Sequence, residues 1–127
     1  MKKLLLILSL SVIIQSCFKD NDKPTEFYIK NLCSQSLNTH TCSMVSSQIN
    51  GNEIKCIDDV IGSGTTLSLR QVDASDDVTA KDIFTTLEIV KSGTMTTKNI
   101  FDMNLWIKTT NGDKTEFTLT VDDSFFQ

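Results

Sequence analysis

The chain begins with a largely apolar, uncharged run, Leu4–Ile14, and then turns to short alternating segments that continue to its end. Strict alternation of apolar and polar residues over four to eight positions marks a half-buried β-strand. Glu26–Leu32 alternates, with Phe27, Ile29 and Asn31 on one side. Leu37–Ile49 is rich in Thr, Ser and Val, and it is followed by Asn50-Gly51, a hairpin signal. A two-residue loop there sets Ser47 opposite Ile54 and Val45 opposite Cys56. Asp58–Ile61 ends at the turn Gly62-Ser63-Gly64, and Thr65–Val72 alternates again through Leu67 and Leu69. Asp73–Lys81 reads as a polar loop. Asp82–Lys91 opens with a stretch compatible with one helical turn and continues as a strand from about Thr86. Ser92-Gly93 is a turn, and Asn99–Met103 fits no period.

The last pair, Leu105–Thr109 and Thr115–Val121, has the clearest alternation. A two-residue loop at Asn111-Gly112 would set Ile107 opposite Glu116 and divide the apolar positions between two faces. A one-residue slip moves every side chain to the other face, so register decides the core. A three-residue loop, Thr110–Gly112, sets Leu105 opposite Phe117 and Met103 opposite Leu119, and is the expectation here. It puts Leu105 and Ile107 inside, with Trp106 and Lys108 on the opposite face. Seven or eight short strands with regular turn signals predict an all-β fold. The expected form is an antiparallel β-sandwich, immunoglobulin-like or a related Greek key.

The start of the chain changes the picture most. Met1-Lys2-Lys3 precedes the apolar run, which ends Ile14-Gln15-Ser16-Cys17. This stretch of eleven residues is too short for a spanning helix, which needs roughly 20. It suits a signal peptide that is removed. Ile14-Gln15-Ser16-Cys17 resembles the lipobox of bacterial lipoproteins. The resemblance implies cleavage before Cys17, acylation of its thiol and new amino terminus, and anchoring by lipid such as palmitate. Each buried CH₂ of an acyl chain contributes about 0.8 kcal/mol.

Phe18-Lys19-Asp20-Asn21-Asp22 resembles the Lys-plus-acidic tract after the lipidated cysteine of surface lipoproteins from Bacteroidetes-type bacteria. Asn21 interrupts the acidic pair. That resemblance implies display on the outer face of the outer membrane; the alternative is an outer-membrane location facing the periplasm. As a whole the chain resembles the small single-domain lipoproteins of such bacteria, whose activity is unassigned. The expected organisation is residues 1–16 as signal peptide, 17–25 as lipidated Cys17 and tether, and 26–127 as one sandwich domain.

Loss of Lys2 and Lys3 with the signal takes the formal charge from −4 to −6. An acidic domain argues against nucleic acid and against electrostatic attachment to an anionic bilayer. Membrane contact is therefore assigned to the lipid. Cys33, Cys42 and Cys56 remain in an oxidising compartment, so a disulfide is plausible beside buried free thiols. In the two-residue register of Asn50-Gly51, Cys42 and Cys56 point to opposite faces. Cys33 is then the expected end of any bridge.

Candidate chemistry is sparse. The single histidine, His40, shares a strand face with Cys42, a minor candidate for a Cys–His pair against an ordinary surface histidine. The acidic stretch Asp73–Asp77 with Asp82 offers oxygen ligands but lacks the spacing of a calcium loop. Paired carboxylates for sugar hydrolysis depend on the fold for their separation. No phosphate loop or dinucleotide fingerprint is present. No cofactor, metal or enzymatic activity is expected.

The expected function is that of a lipid-anchored interaction module for a protein or glycan partner. Trp106 and Lys108 form the candidate binding platform, since an exposed tryptophan beside charge is a common contact. The bland reading covers Trp106 with a loop or with Phe125-Phe126. That C-terminal pair is expected to pack back on the domain, or else to form a contact patch. The alternative function is a structural or accessory subunit, or a small inhibitor, within an outer-membrane assembly.

Overall fold

A computed structural model describes residues 22–49 and 51–127. The lipobox, Cys17 and most of the tether lie outside the described residues. Eight strands form two four-stranded sheets. They are β1 (Lys23–Asn31), β2 (Leu37–Ser47), β3 (Gly51–Ile61), β4 (Thr66–Ala74), β5 (Phe84–Lys91), β6 (Thr94–Met95), β7 (Trp106–Asn111) and β8 (Lys114–Val121). One helical turn, α1 (Ala80–Ile83), precedes β5. Sheet one has the order β4-β1-β8-β7 and sheet two the order β3-β2-β5-β6. The fold is an all-β sandwich, as alternation predicts. Its ladders are antiparallel except one: β1 runs parallel to β8, with Phe27 beside Phe117 and Ile29 beside Leu119.

The inward positions of β1 and β8 are those the alternation selects. Phe27, Ile29 and Asn31 are buried, as are Phe117, Leu119 and Val121. Phe27 is the hub of the core. It stacks on Phe117 at 5.1 Å and meets Phe84 and Trp106 edge-on, each at 5.6 Å. Phe84 comes from the facing sheet, so this cluster ties the two layers together. Edge-on aromatic pairs contribute roughly 0.5–1.5 kcal/mol beyond their burial. Asn31 is the polar knot of the core. Its amide nitrogen donates to the Gln35 and Ile61 carbonyls, and its oxygen accepts from the Cys33 N–H. These bonds satisfy a polar side chain that no water reaches.

The chain end folds back as expected. Phe125 is buried and Phe126 is half-buried, in a 3-10 turn at Asp123–Phe126. The Thr97 N–H holds the Phe125 carbonyl at 2.7 Å.

Two hairpin registers differ from expectation. The β7–β8 loop is Gly112-Asp113, with Asn111 paired to Lys114. Gly112 has φ 60°, the conformation that a type II′ turn requires at its first loop position. Trp106 therefore faces Leu119, not Leu105 facing Phe117. Trp106 is buried and Ile107 is 61% exposed, the reverse of the expected faces. The aromatic ring fills more of the core than an isoleucine can, and its N–H finds a carbonyl.

In the β2–β3 hairpin, Ser47 pairs with Gly51, so the loop has three residues rather than two. With the loop moved to residues 48–50, the partner of Cys56 shifts by three residues, from Val45 to Cys42, and the two cysteines form a disulfide. The expectation that this pair is excluded, with Cys33 at one end of any bridge, is overturned: Cys33 is a buried free thiol.

Candidate functional site

The most chemically dense region lies on the outer face of sheet two. The odd residues of β2, Leu37, Thr39 and Thr41, are buried toward the core. The even ones therefore point away from it. Register on both sides of β2 then aligns two rows of interest. His40 lies between Asp58 of β3 and Glu88 of β5, and Cys42 lies between Cys56 and Thr86. His40 Nδ1 is 2.6 Å from Asp58 Oδ1, and its Nε2 is 3.3 Å from Cys42 Sγ. The carboxylate accepts the Nδ1 proton, which orients the ring and leaves Nε2 facing the disulfide. Cys42 is buried while Cys56 is exposed. Beside this array is an open depression of about 580 Å³, lined in part by Asn38, Asp58, Val60 and Val90.

His40, Cys42 and Cys56 place three ligand-type atoms within 4.8 Å of one another. Both sulfurs are already bonded to each other, however, so the group does not fit a metal ion in this state. A Cys–His nucleophile is likewise ruled out while the disulfide stands. Cys33 does not replace it. It is buried, its thiol faces the Val121 carbonyl, and desolvation, then the nearby Asp123 carboxylate, pushes its pKa up. Such a thiol is a poor nucleophile.

Trp106 does not form an exposed platform. Its Nε1 donates to the Ile100 carbonyl at 2.8 Å inside the core. Lys108 shares its face, at the rim, where Nζ donates to the Asp76 carbonyl and sits 5.7 Å from the centre of the Phe117 ring.

The acidic stretch disperses its carboxylates. Asp76 lies 3.8 Å from Lys23, and Asp77 accepts from Ser75. Asp82 caps α1 by accepting from the Thr79 N–H and hydroxyl. Among the described residues these groups do not converge on one point. The closest approach to paired carboxylates is on sheet one, where Lys114 bridges Glu26 at 2.6 Å and Glu116 at 3.0 Å. The Lys114 contact, helped by the Ser68 hydroxyl, holds the Glu26 carboxyl down at about 2. Both carboxylates are engaged by the lysine, which makes this a structural network.

Exposed apolar side chains cluster on sheet two as well. Met44, Ile54, Ile57, Val60 and Met95 are each more than half exposed. All except Ile57 sit at even positions of β2 and β3 or on β6. β3 is an edge strand eleven residues long, with β2 on one side only. A long edge strand with apolar side chains is a template for pairing with another chain.

Comparison with family models, with characterised proteins and with solved structures finds no match to this chain. Among the described residues no helix is long and apolar enough to cross a membrane.

The His40–Asp58–disulfide array was within reach of the sequence. His40-x-Cys42 and Cys56-x-Asp58 have mirrored spacing, so one antiparallel register pairs all four at once. The Asn-Gly turn signal pointed to a register three residues away from it.

Proposed function

We propose that this chain is a lipid-anchored protein of the cell envelope that works by binding another protein along the β3 edge of sheet two. Cys17 is the anchor in this reading, and the outer face of the outer membrane is the location its flanking tract favours. The observation that carries the reading is the exposed apolar side chains of β3, Ile54 and Val60 on one face and Ile57 on the other, at a sheet edge that no strand covers among the described residues. An added strand gains main-chain hydrogen bonds from the edge, and specificity from the side chains that alternate along it. The burial of Trp106 removes the platform expected to contact a protein or glycan, which leaves the β3 edge as the candidate surface.

The test is photo-crosslinking in intact cells, with a crosslinking residue at Ile54 or Val60 and a control at Ile107 on sheet one. The expected result is a discrete adduct from Ile54 and Val60 and none from Ile107. Equal labelling from all three sites, or none from β3, would remove the reading. The anchor is read in the same cells: wild type stays with membranes, whereas Cys17→Ser is neither acylated nor cut before residue 17.

A second reading, a subunit of an assembly, is favoured by the order of residues on β3. Take a second copy of β3, antiparallel, about a two-fold axis normal to the sheet at Ile57. Lys55 then faces Asp59 and Ile54 faces Val60, each twice. A shift of two residues one way sets Glu53 against Asp59; the other way it sets Asp58 against Asp58. Opposite charges across a ladder stabilise it and like charges weaken it. An adduct of twice the chain mass would select this reading over a different partner protein.

A further inference from the structure

We infer that the Cys42–Cys56 disulfide is a site of thiol exchange, at which an external thiol becomes attached to Cys56 while His40 assists the departure of Cys42. The inference does not depend on the proposed binding function.

Three observations carry it. First, the two cysteines differ in exposure: Cys56 is an exposed residue, whereas Cys42 is buried to 6% exposure. Attack on a disulfide runs along the S–S bond from outside, so an incoming thiolate reaches Cys56 Sγ and expels Cys42 Sγ. Second, the sulfur that departs is the one in contact with His40, whose Nε2 lies 3.3 Å away. Third, the ring is held in that pose by the contact from Nδ1 to Asp58 at 2.6 Å. Exchange is faster when the leaving sulfur is better stabilised as a thiolate.

The step balances without an added oxidant or reductant. A thiol R–SH loses its proton and its sulfur bonds to Cys56 Sγ as the Sγ–Sγ bond breaks. The electron pair of that bond leaves on Cys42 Sγ. His40 takes up the thiol's proton at Nε2 and passes it to the departing sulfur, while its Nδ1–H stays donated to Asp58. The proton lost by R–SH finally resides on Cys42. The product is a mixed disulfide on Cys56 and a free thiol at Cys42, and a second attack by Cys42 reverses it.

The depression lined by Asn38, Asp58, Val60 and Val90 lies beside His40 and Asp58, and Cys56 is itself exposed on β3. His40 touches a reacting atom and acts on the leaving group. Asp58 is a positioning residue.

The experiment uses the full mature chain extracted in mild detergent, with 2-mercaptoethanol as the probe. The reaction is quenched by acid, free thiols are alkylated, and peptide masses locate each adduct. The expected product carries mercaptoethanol on Cys56 and the alkyl group on Cys42. In His40→Gln the same product forms about a hundredfold more slowly, the low end of what a positioned proton donor contributes. Asp58→Asn keeps an acceptor for Nδ1–H and retains the Cys56 selectivity, whereas Asp58→Ala slows opening like His40→Gln.

A second arm replaces mercaptoethanol with an unstructured single-cysteine peptide. Adducts with mercaptoethanol alone assign the source to small thiols, and adducts with both admit a protein thiol. Circular dichroism confirms that each variant is folded. Mercaptoethanol placed on Cys42, equal labelling of both cysteines, or an unchanged rate in His40→Gln would overturn the inference. So would opening of the wild-type bond no faster than that of oxidised glutathione.

Discussion

Trp106 and Ile107 are neighbours on β7 with opposite fates, and exchanging their roles is the sharpest stability test of the fold. Trp106→Ala empties the space beside Phe27 and leaves the Ile100 carbonyl without its donor. Truncating a buried aromatic to alanine costs about 3–5 kcal/mol through lost transfer and the residual cavity. The unsatisfied buried carbonyl adds about 1 kcal/mol or more. A domain of this size has about 5–15 kcal/mol of total stability, so Trp106→Ala should be marginal or unfolded. Ile107→Thr alters a side chain already 61% exposed, and a change there stays within about 0.5 kcal/mol.

The assay is urea unfolding followed by circular dichroism. Trp106 is the sole tryptophan, so its fluorescence reports its own site in the parent protein. Its emission should be blue-shifted and resistant to iodide. An Ile107→Thr loss of about 2 kcal/mol, with Trp106→Ala nearly neutral, would refute the face assignment and the β7–β8 register with it.

Three further outcomes are expected. Replacing both disulfide cysteines by serine should lower stability by about 3 kcal/mol, because a bridge across 14 residues restricts the unfolded chain; the measurement is the denaturant midpoint. Asn31→Ala should cost about 2–4 kcal/mol, since it leaves the Gln35 and Ile61 carbonyls and the Cys33 N–H without partners; thermal unfolding reads it, and a neutral result would mean that water replaces the side chain. Glu26 has a carboxyl at about 2 in the folded protein against 4.5 when unfolded, so its contribution is complete above 4.5 and is lost as pH falls toward 2. Lys114 is partly exposed and solvent screens the pair, so about 1 kcal/mol of acid sensitivity in that window should disappear in Glu26→Gln.

The strands were legible where one face is buried and the other solvated. β1 and β8 read directly from Phe27, Ile29, Phe117, Leu119 and Val121, because the core selects every second residue there. The chain end was legible for the same reason: two phenylalanines at a terminus have nowhere favourable to go except back onto the core. β7 was not. Leu105, Ile107 and Met103 looked like its buried set, but Trp106 carries more apolar surface than any of them, and its N–H has a partner in the Ile100 carbonyl. The type II′ turn at Gly112 fixes that choice, and alternation alone does not identify the turn. The parallel partnership of β1 and β8 joins strands some 90 residues apart, and local pattern carries no information about such pairs. β3 was half-read: Ile54 and Cys56 were placed in a hairpin strand with the wrong partners, and Asp58–Ile61 was read as a separate segment. As an edge strand with little burial, it lacks the contrast between faces that alternation detects. The same lack of burial is what makes it a binding edge, so the functional surface is the part of the fold that pattern reading sees least well.

The central claim is that β3 holds a protein partner in the envelope. The direct measurement is the native mass of the wild-type chain, extracted from its own membranes in mild detergent, against that of Ile54→Lys/Val60→Lys. The account predicts a wild-type complex heavier than one chain and a single chain in the double variant, with Ile107→Lys unchanged from wild type. A double variant that retains the wild-type mass, or a complex lost only in Ile107→Lys, would contradict it.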